Sequence, residues 1–134
     1  MGALVDTSVF VAVEKKEPSA AWCNAALKGY DALYLNPMVL SELMLGVELA
    51  ATAPLALARR ATFDWAASLS SLAVDHETAL IHARMTVALK RRGATRWRQN
   101  DLWIAASAVQ HGVDVLTCNG RDYEGIDGLT VACP

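Results

Sequence analysis

Five side chains spread along the sequence carry oxygen donors of the kind that grip a hard divalent cation: Asp6, Glu42, Asp101, Asn119 and Asp122. Carboxylates crowded together repel one another and raise each other's pKa unless a cation neutralises them. Such oxygen ligands suit Mg2+ or Mn2+, which keep some of their waters and accept phosphate oxygens. An ion held this way polarises a phosphate, orients water and makes it more acidic, which is the chemistry of phosphodiester hydrolysis. Each residue alone has an ordinary alternative. Asp6 also reads as a loop carboxylate after a strand. Asp101 reads as a capping group in the first turn of a helix, where free N–H groups and the dipole favour an anion. Glu42 reads as the partner of a buried arginine.

Glu42 is the most informative of them. In its helix Leu40, Leu43, Met44 and Val47 form one apolar stripe, while Met38, Leu45 and Leu49 share the side of Glu42. A helix apolar on both sides is expected to be buried, and an unpaired carboxylate there costs several kcal/mol. Other chemistries find less support. His76, His82 and His111 lack carboxylate or cysteine neighbours at ligand spacing. Cys23, Cys118 and Cys133 are odd in number with no C-x-x-C spacing, so free thiols are expected rather than a disulfide framework or a zinc site. Trp22, Trp65 and Trp103 fall in helical patterns and read as packing residues. Neither G-x-G-x-x-G nor a P-loop is present, which leaves a nucleotide cofactor without support.

These donors need a scaffold that gathers them. Ala3–Asp6 reads as a buried first strand, followed by a short helix through Val13 that Thr7 or Ser8 can cap. Pro18 opens a second helix to about Lys28, with Gly29 as its stop, and Ala32–Leu35 is a second strand. Asn36-Pro37 is a strong helix start, predicting a helix to about Ala51, and another covers about Pro54–Ser68. Leu72–Val74 is expected as the third strand, with Asp75 capping a helix from His76 to Arg92 that Gly93 stops. A further helix begins at Gln99 or Asn100 and ends near His111-Gly112. Val113–Thr117 and Thr130–Ala132 complete the strands. Strands alternating with helices imply right-handed crossovers, hence one α/β domain over residues 1–134 with a mainly parallel sheet of about five strands and helices on both faces. Sites in such sheets form beyond the carboxyl ends of the strands, where Asp6, Asn119 and Asp122 all follow strands.

Composition agrees with a folded domain. The 134 residues are 54% hydrophobic and 19% charged, which excludes a disordered tail. No apolar run approaches the roughly 18 residues of a spanning helix, and no signal-peptide pattern opens the chain, so a cytoplasmic location away from membranes is expected. The net charge of −2 hides a strong asymmetry: Lys90–Arg98 holds five basic residues and no acidic one, leaving seven basic against fourteen acidic residues elsewhere. Arg91, Arg92, Arg96 and Arg98 are candidates for phosphate contact, with Trp97 as a face for an unstacked base. Lys90–Arg92 also sit where a helix end favours cations, so the nucleic-acid-contact reading is centred on Arg96, Trp97 and Arg98.

The segments Leu4-Val-Asp-Thr-Ser8, Ser41-Glu42-Leu43 with Gly46, Asn100-Asp-Leu-Trp-Ile-Ala-Ala106, Leu116-Thr-Cys-Asn-Gly-Arg-Asp-Tyr123 and Gly128-Leu129 occur in an order and spacing that resembles the PIN-domain ribonucleases, specifically the VapC-type toxins of bacterial toxin–antitoxin pairs. The resemblance spans nearly the whole chain. It implies a PIN-like fold and a metal-dependent endoribonuclease, with Asp6, Glu42 and Asp101 as the core carboxylates for Mg2+ or Mn2+. Many relatives carry a fourth acid where this chain has Asn119. Either Asn119 or Asp122 then completes the site, with Ser8 and Thr117 orienting waters or carboxylates from behind. The implied reaction is attack of water on an RNA phosphodiester, leaving a 5′-phosphate and a 3′-hydroxyl. The implied partners are RNA, a cognate antitoxin that blocks the site, and a homodimer or toxin–antitoxin hetero-oligomer, for which the Ala- and Leu-rich helices from Trp22 to Leu69 offer apolar surface. Two other readings stand beside it. One is a phosphatase with Asp6 as nucleophile, although such enzymes want a second Asp where this chain has Ser8. The other is a non-catalytic PIN fold that serves as an RNA-binding or assembly module.

Overall fold

The computed structural model describes residues 1–134. The first strand, β1 (Gly2–Val5), is a buried apolar run whose last three residues are fully enclosed. It leads into α1 (Thr7–Glu14) and α2 (Ala20–Lys28), then β2 (Ala32–Leu35). Helices α3 (Pro37–Glu48) and α4 (Ala53–Ala67) connect to the short strand β3 (Ser70–Ser71). The long α5 (His76–Arg91) and α6 (Gln99–His111) precede β4 (Asp114–Leu116), and a 3-10 turn (Gly120–Tyr123) leads to β5 (Val131–Ala132).

The five strands form one parallel sheet in the order β3-β2-β1-β4-β5. The chain steps outward from β1 to β2 to β3, then returns through α5 and α6 to place β4 on the other side of β1. Right-handed crossovers make this reversal put α1–α4 over one face and α5–α6 over the other. The expected α/β architecture is therefore present. The reversal also leaves a crevice beyond the carboxyl ends of β1 and β4, where ligands bind in sheets of this kind. Aliphatic residues of β1 and β4 meet Val9, Phe10 and the buried face of α6 (Leu102, Ile104, Ala105, Ala106, Ala108) in one core. Trp65 meets Phe10 edge-on with ring centroids 4.8 Å apart, and Trp103 stacks on His82, both packing roles as expected.

Several boundaries differ from expectation for identifiable reasons. The third strand is Ser70–Ser71 rather than Leu72–Val74. Its position is set by pairing with Tyr34 and Leu35, and an exposed two-residue edge needs no apolar pattern. Helix α2 starts at Ala20, two residues after Pro18, with Ser19 at its N-cap, and α3 ends at Glu48, short of Ala51. The N-cap of α1 is Asp6 itself, not Thr7 or Ser8, and its side chain makes no capping bond. Asn36 and Asp75 cap as expected: Asn36 Oδ1 accepts from Met38 N at 2.8 Å, and Asp75 forms a reciprocal box with Thr78. The expectation that α3 is buried on both sides fails. Leu45 and Leu49 are 59% and 71% exposed, so the side of Glu42 is only partly covered.

Candidate active site

Parallel pairing of β1 with β4 sets Val5 beside Leu116, and the Asp6 N–H continues the ladder by donating to the Leu116 carbonyl at 2.9 Å. The residues that follow each strand are thereby forced into contact. Asp6, only 6% exposed, has its carboxylate fixed from three directions. Its Oδ2 accepts from Ser8 Oγ at 2.7 Å and from Thr117 Oγ1 at 2.8 Å, and its Oδ1 accepts from Tyr123 OH at 3.2 Å. The backbone completes the frame: Cys118 N–H donates to Ser8 Oγ and Asn119 N–H to Thr117 Oγ1, each at 3.0 Å. Ser8 and Thr117 therefore both donate to the same oxygen of Asp6. Three donors on both of its oxygens also disfavour the reading of Asp6 as a phosphatase nucleophile, which needs a free oxygen.

Helix α6 presents Asp101 from its first turn. The N-cap is Arg98, and Asp101 caps nothing: its Oδ2 is buried without any hydrogen-bond partner. The capping alternative is removed. Glu42 on α3 is half-buried, forms no ion pair, and accepts from Asn100 Nδ2 at 3.3 Å, so the arginine alternative fails as well. All three carboxylates line one cleft of about 320 Å³, together with Thr7, Ser8, Glu17, Arg98, Cys118, Asn119 and Asp122. Asn119 and Asp122 are both exposed on its rim.

The electrostatics reflect this gathering. Burial, then the charges of Asp6 and Asp122, push the Asp101 carboxyl up to about 7, with Arg98 pulling the other way. Burial also raises Glu42, aided by Asp6 and opposed by the Asn100 hydrogen bond. Tyr123 is buried, and with Asp6 and Asp101 nearby its phenol is held protonated far beyond its usual range. Its O–H donor to Asp6 is therefore retained. Negative charge is thus unfavourable in the cleft as it stands, the condition a divalent cation relieves.

Whether the residues fit such an ion is tested by their free atoms. Two of the four buried side-chain atoms without partners, Thr7 Oγ1 and Asp101 Oδ2, belong to residues of this cleft. No three His, Cys, Asp or Glu side chains stand close enough together to form a closed cage. The expectation that the carboxylates converge on one point is corrected to this extent: they line a common cleft, and Asp6 is held back by its own donors. A Mg2+ site needs no closed cage, since this ion takes one or two carboxylates directly and fills the remainder with water and substrate phosphate. An oxygen-only donor set with an orphaned carboxylate atom fits that chemistry.

The basic segment divides. Arg98 lines the carboxylate cleft. Arg96 and Trp97 line a neighbouring groove of about 790 Å³ together with Arg98, Arg121 and Asp122. Trp97 is half-buried against the core, so only part of its ring is open to a base. Arg92 is committed elsewhere, with Nη2 2.8 Å from both Asp127 oxygens and Nη1 donating to the Gly125 carbonyl. Tyr123, Asn100 and Glu17 had no assigned role from sequence. Tyr123 and Asn100 lie inside the motif segments, but an aromatic or amide there signals a carboxylate partner only once the fold is known.

The PIN domain family model matches residues 3–129. Ribonuclease VapC5 of Mycobacterium tuberculosis is 37% identical over 125 residues, covering 93% of this chain and 87% of that protein. Ribonuclease VapC1 of Rickettsia felis is 32% identical over 133 residues, 98% of this chain and 95% of that one. A crystal structure of VapBC-5 from Mycobacterium tuberculosis, described as a member of the VapBC family of toxin–antitoxin systems, superposes with a TM-score of 0.81 at 30% identity, over 99% of this chain and 98% of the other.

Proposed function

Because the chain belongs to the PIN-domain family, we propose that it is the endoribonuclease toxin of a toxin–antitoxin pair, dependent on Mg2+ or Mn2+ and working in the Asp6–Glu42–Asp101 cleft. The observation that carries this reading is the unpartnered, buried Oδ2 of Asp101 in a cleft lined by Asp6, Glu42 and Asp122. The ribonuclease names of relatives that match almost end to end point the same way.

Asp101 and Glu42 would be the carboxylates that take the ion, with Asp6, held by its own donors, adding its charge from behind and Asp122 or Asn119 at the rim. When bound, it would neutralise phosphate charge and make water a better nucleophile. The protein groups supply the rest. Ser8, Thr117 and Tyr123 lock Asp6 so that its orientation costs nothing at the moment of reaction. Asn100 steers Glu42 in the same way. Asp101 holds a proton near neutrality and gives it up as positive charge arrives. Arg98 at the cleft and Arg96 in the adjoining groove supply phosphate contacts that position the strand.

The test is RNA cleavage with Mg2+ or Mn2+, with and without chelator, comparing the natural protein with Asp101→Asn. Expected are cleavage only with metal, 5′-phosphate products, and loss of roughly 100-fold or more in the variant, whose circular dichroism is unchanged. Equal rates in the two proteins, or full activity in chelator, would overturn the proposal. RNA retention without cleavage under any metal would select a binding module instead. The antitoxin is tested separately: adding the partner protein should abolish cleavage, and undiminished cleavage in a stable complex would count against it.

A further inference from the structure

Two thiols lie just behind the carboxylate cleft. Cys23, wholly buried on α2, and Cys118, partly exposed after β4, have their sulfurs 3.2 Å apart, 95 residues apart in sequence. Neither is bonded to the other, and all three cysteines are free. Cys118 lines the cleft, so a small oxidant can reach it, and it lies between Thr117 and Asn119. Its own N–H donates to Ser8 Oγ, one of the three donors that hold Asp6. The accessible sulfur, the resolving sulfur and the frame of the site are thus in direct succession.

We propose that Cys23 and Cys118 form an oxidation site for hydroperoxides, closing to a disulfide that ties α2 to the end of β4 and displaces the frame of Asp6. The Cys118 sulfur attacks the peroxide O–O bond, which breaks. The sulfur becomes a sulfenic acid and the second oxygen leaves as water or an alcohol. The Cys23 sulfur then attacks the sulfenic sulfur, the S–O bond breaks, and the departing hydroxide takes the Cys23 proton to become water. Two thiols lose two electrons and two protons to the peroxide, and added thiol reverses the change. Closing from 3.2 Å to the roughly 2.05 Å of a disulfide requires movement of more than about 1 Å. Cys23 is the more deeply buried of the two, so the freer side is Cys118, whose neighbours Thr117 and Asn119 belong to the frame of Asp6. A displacement of that size at a catalytic frame costs up to about 100-fold in rate.

The experiment uses the whole chain with Cys133→Ser, reduced and then treated with hydrogen peroxide. Intact mass should fall by two hydrogens, a peptide map should join residues 23 and 118, and dithiothreitol should restore both thiols. Gain of oxygen alone, or two thiols still open to alkylation, would overturn the proposal. RNA cleavage is read in the same samples: a fall of about 10- to 100-fold that thiol reverses is expected, with Cys23→Ala in this background insensitive to the oxidant. Should Cys23→Ala not fold, Cys118→Ser serves as the mass control and must not lose two hydrogens. The coupling to the site rests on the ribonuclease reading, whereas the disulfide does not. A chain that oxidises but never cleaves RNA refutes that reading and leaves the thiol pair intact. One that oxidises with cleavage unchanged refutes the coupling.

Discussion

At the scale of single residues, the cleft is built from groups held in states they would not choose in water. Asp101 shows this most directly. Its carboxyl is raised from 3.8 to about 7, so the folded protein binds its proton more tightly than the unfolded chain does. Stability from this group is then fully present below the unfolded value and is lost as pH rises toward 7. In chelator, the melting temperature should fall between pH 5 and pH 8. Asp101→Asn should flatten that slope and melt about 3–6 °C higher at pH 8, since about 1 kcal/mol shifts a domain of this size by several degrees. Parallel melting curves for the two proteins would show that the carboxylate is not under strain. Tyr123 works in the opposite sense, because its buried hydroxyl donates to the charged Asp6. Tyr123→Phe should cost about 1.5–3 kcal/mol in urea unfolding and lower cleavage at saturating metal. An unchanged denaturation midpoint would mean that Ser8 and Thr117 suffice.

At the scale of elements, the site depends on where strands stop and helices start. Helix α6 ends on Gly112 at φ +66°, left-handed backbone in which a side chain is strained even though open space surrounds the position. Gly112→Ala should therefore destabilise by about 1–2 kcal/mol, read by urea unfolding, while the cleavage rate per folded molecule stays unchanged. A variant as stable as the natural protein would show that this turn tolerates an ordinary residue. What could be read from the sequence follows the same division. Asn36-Pro37, Asp75 and Gly112 act on backbone within three residues of themselves and mark helix ends wherever they stand. Ser70–Ser71 is a strand only because Tyr34 and Leu35 offer it a partner, and no local pattern announces that. The exposure of Leu45 and Leu49 depends on whether another element covers α3, again a long-range fact. The five oxygen donors were legible as types and as positions after strands or in first turns. The resemblance already names Ser8 and Thr117 as orienting groups; that both reach Asp6 itself, that Tyr123 is the third hydroxyl on it, and that Asp101 caps nothing, required the folded chain.

At the scale of the whole molecule, the apparent contradiction is an acidic chain proposed to bind RNA. It is resolved by separation of charge. Five of the twelve basic residues lie in Lys90–Arg98, and two of them, Arg96 and Arg98, line the groove that adjoins the carboxylate cleft. On the proposed function, a strand entering the cleft would meet Arg96, Arg98 and Arg121 along its backbone, and the carboxylates would hold the ion that neutralises its phosphate. Contacts of this kind release counterions, so affinity falls with salt, by a slope of about 0.7 per phosphate for single strands. In the inactive Asp101→Asn background, Arg96→Ala should weaken binding of unrelated RNA sequences to a similar degree and shallow the salt slope by about 0.7. Fluorescence anisotropy across a salt series measures both quantities. Arg92→Ala serves as the contrast, because its guanidinium is committed to Asp127 and Gly125. It should lower stability and leave the slope where it was. If Arg92→Ala changes the slope and Arg96→Ala does not, the strand runs along the helix end and the groove beside the cleft is not its path.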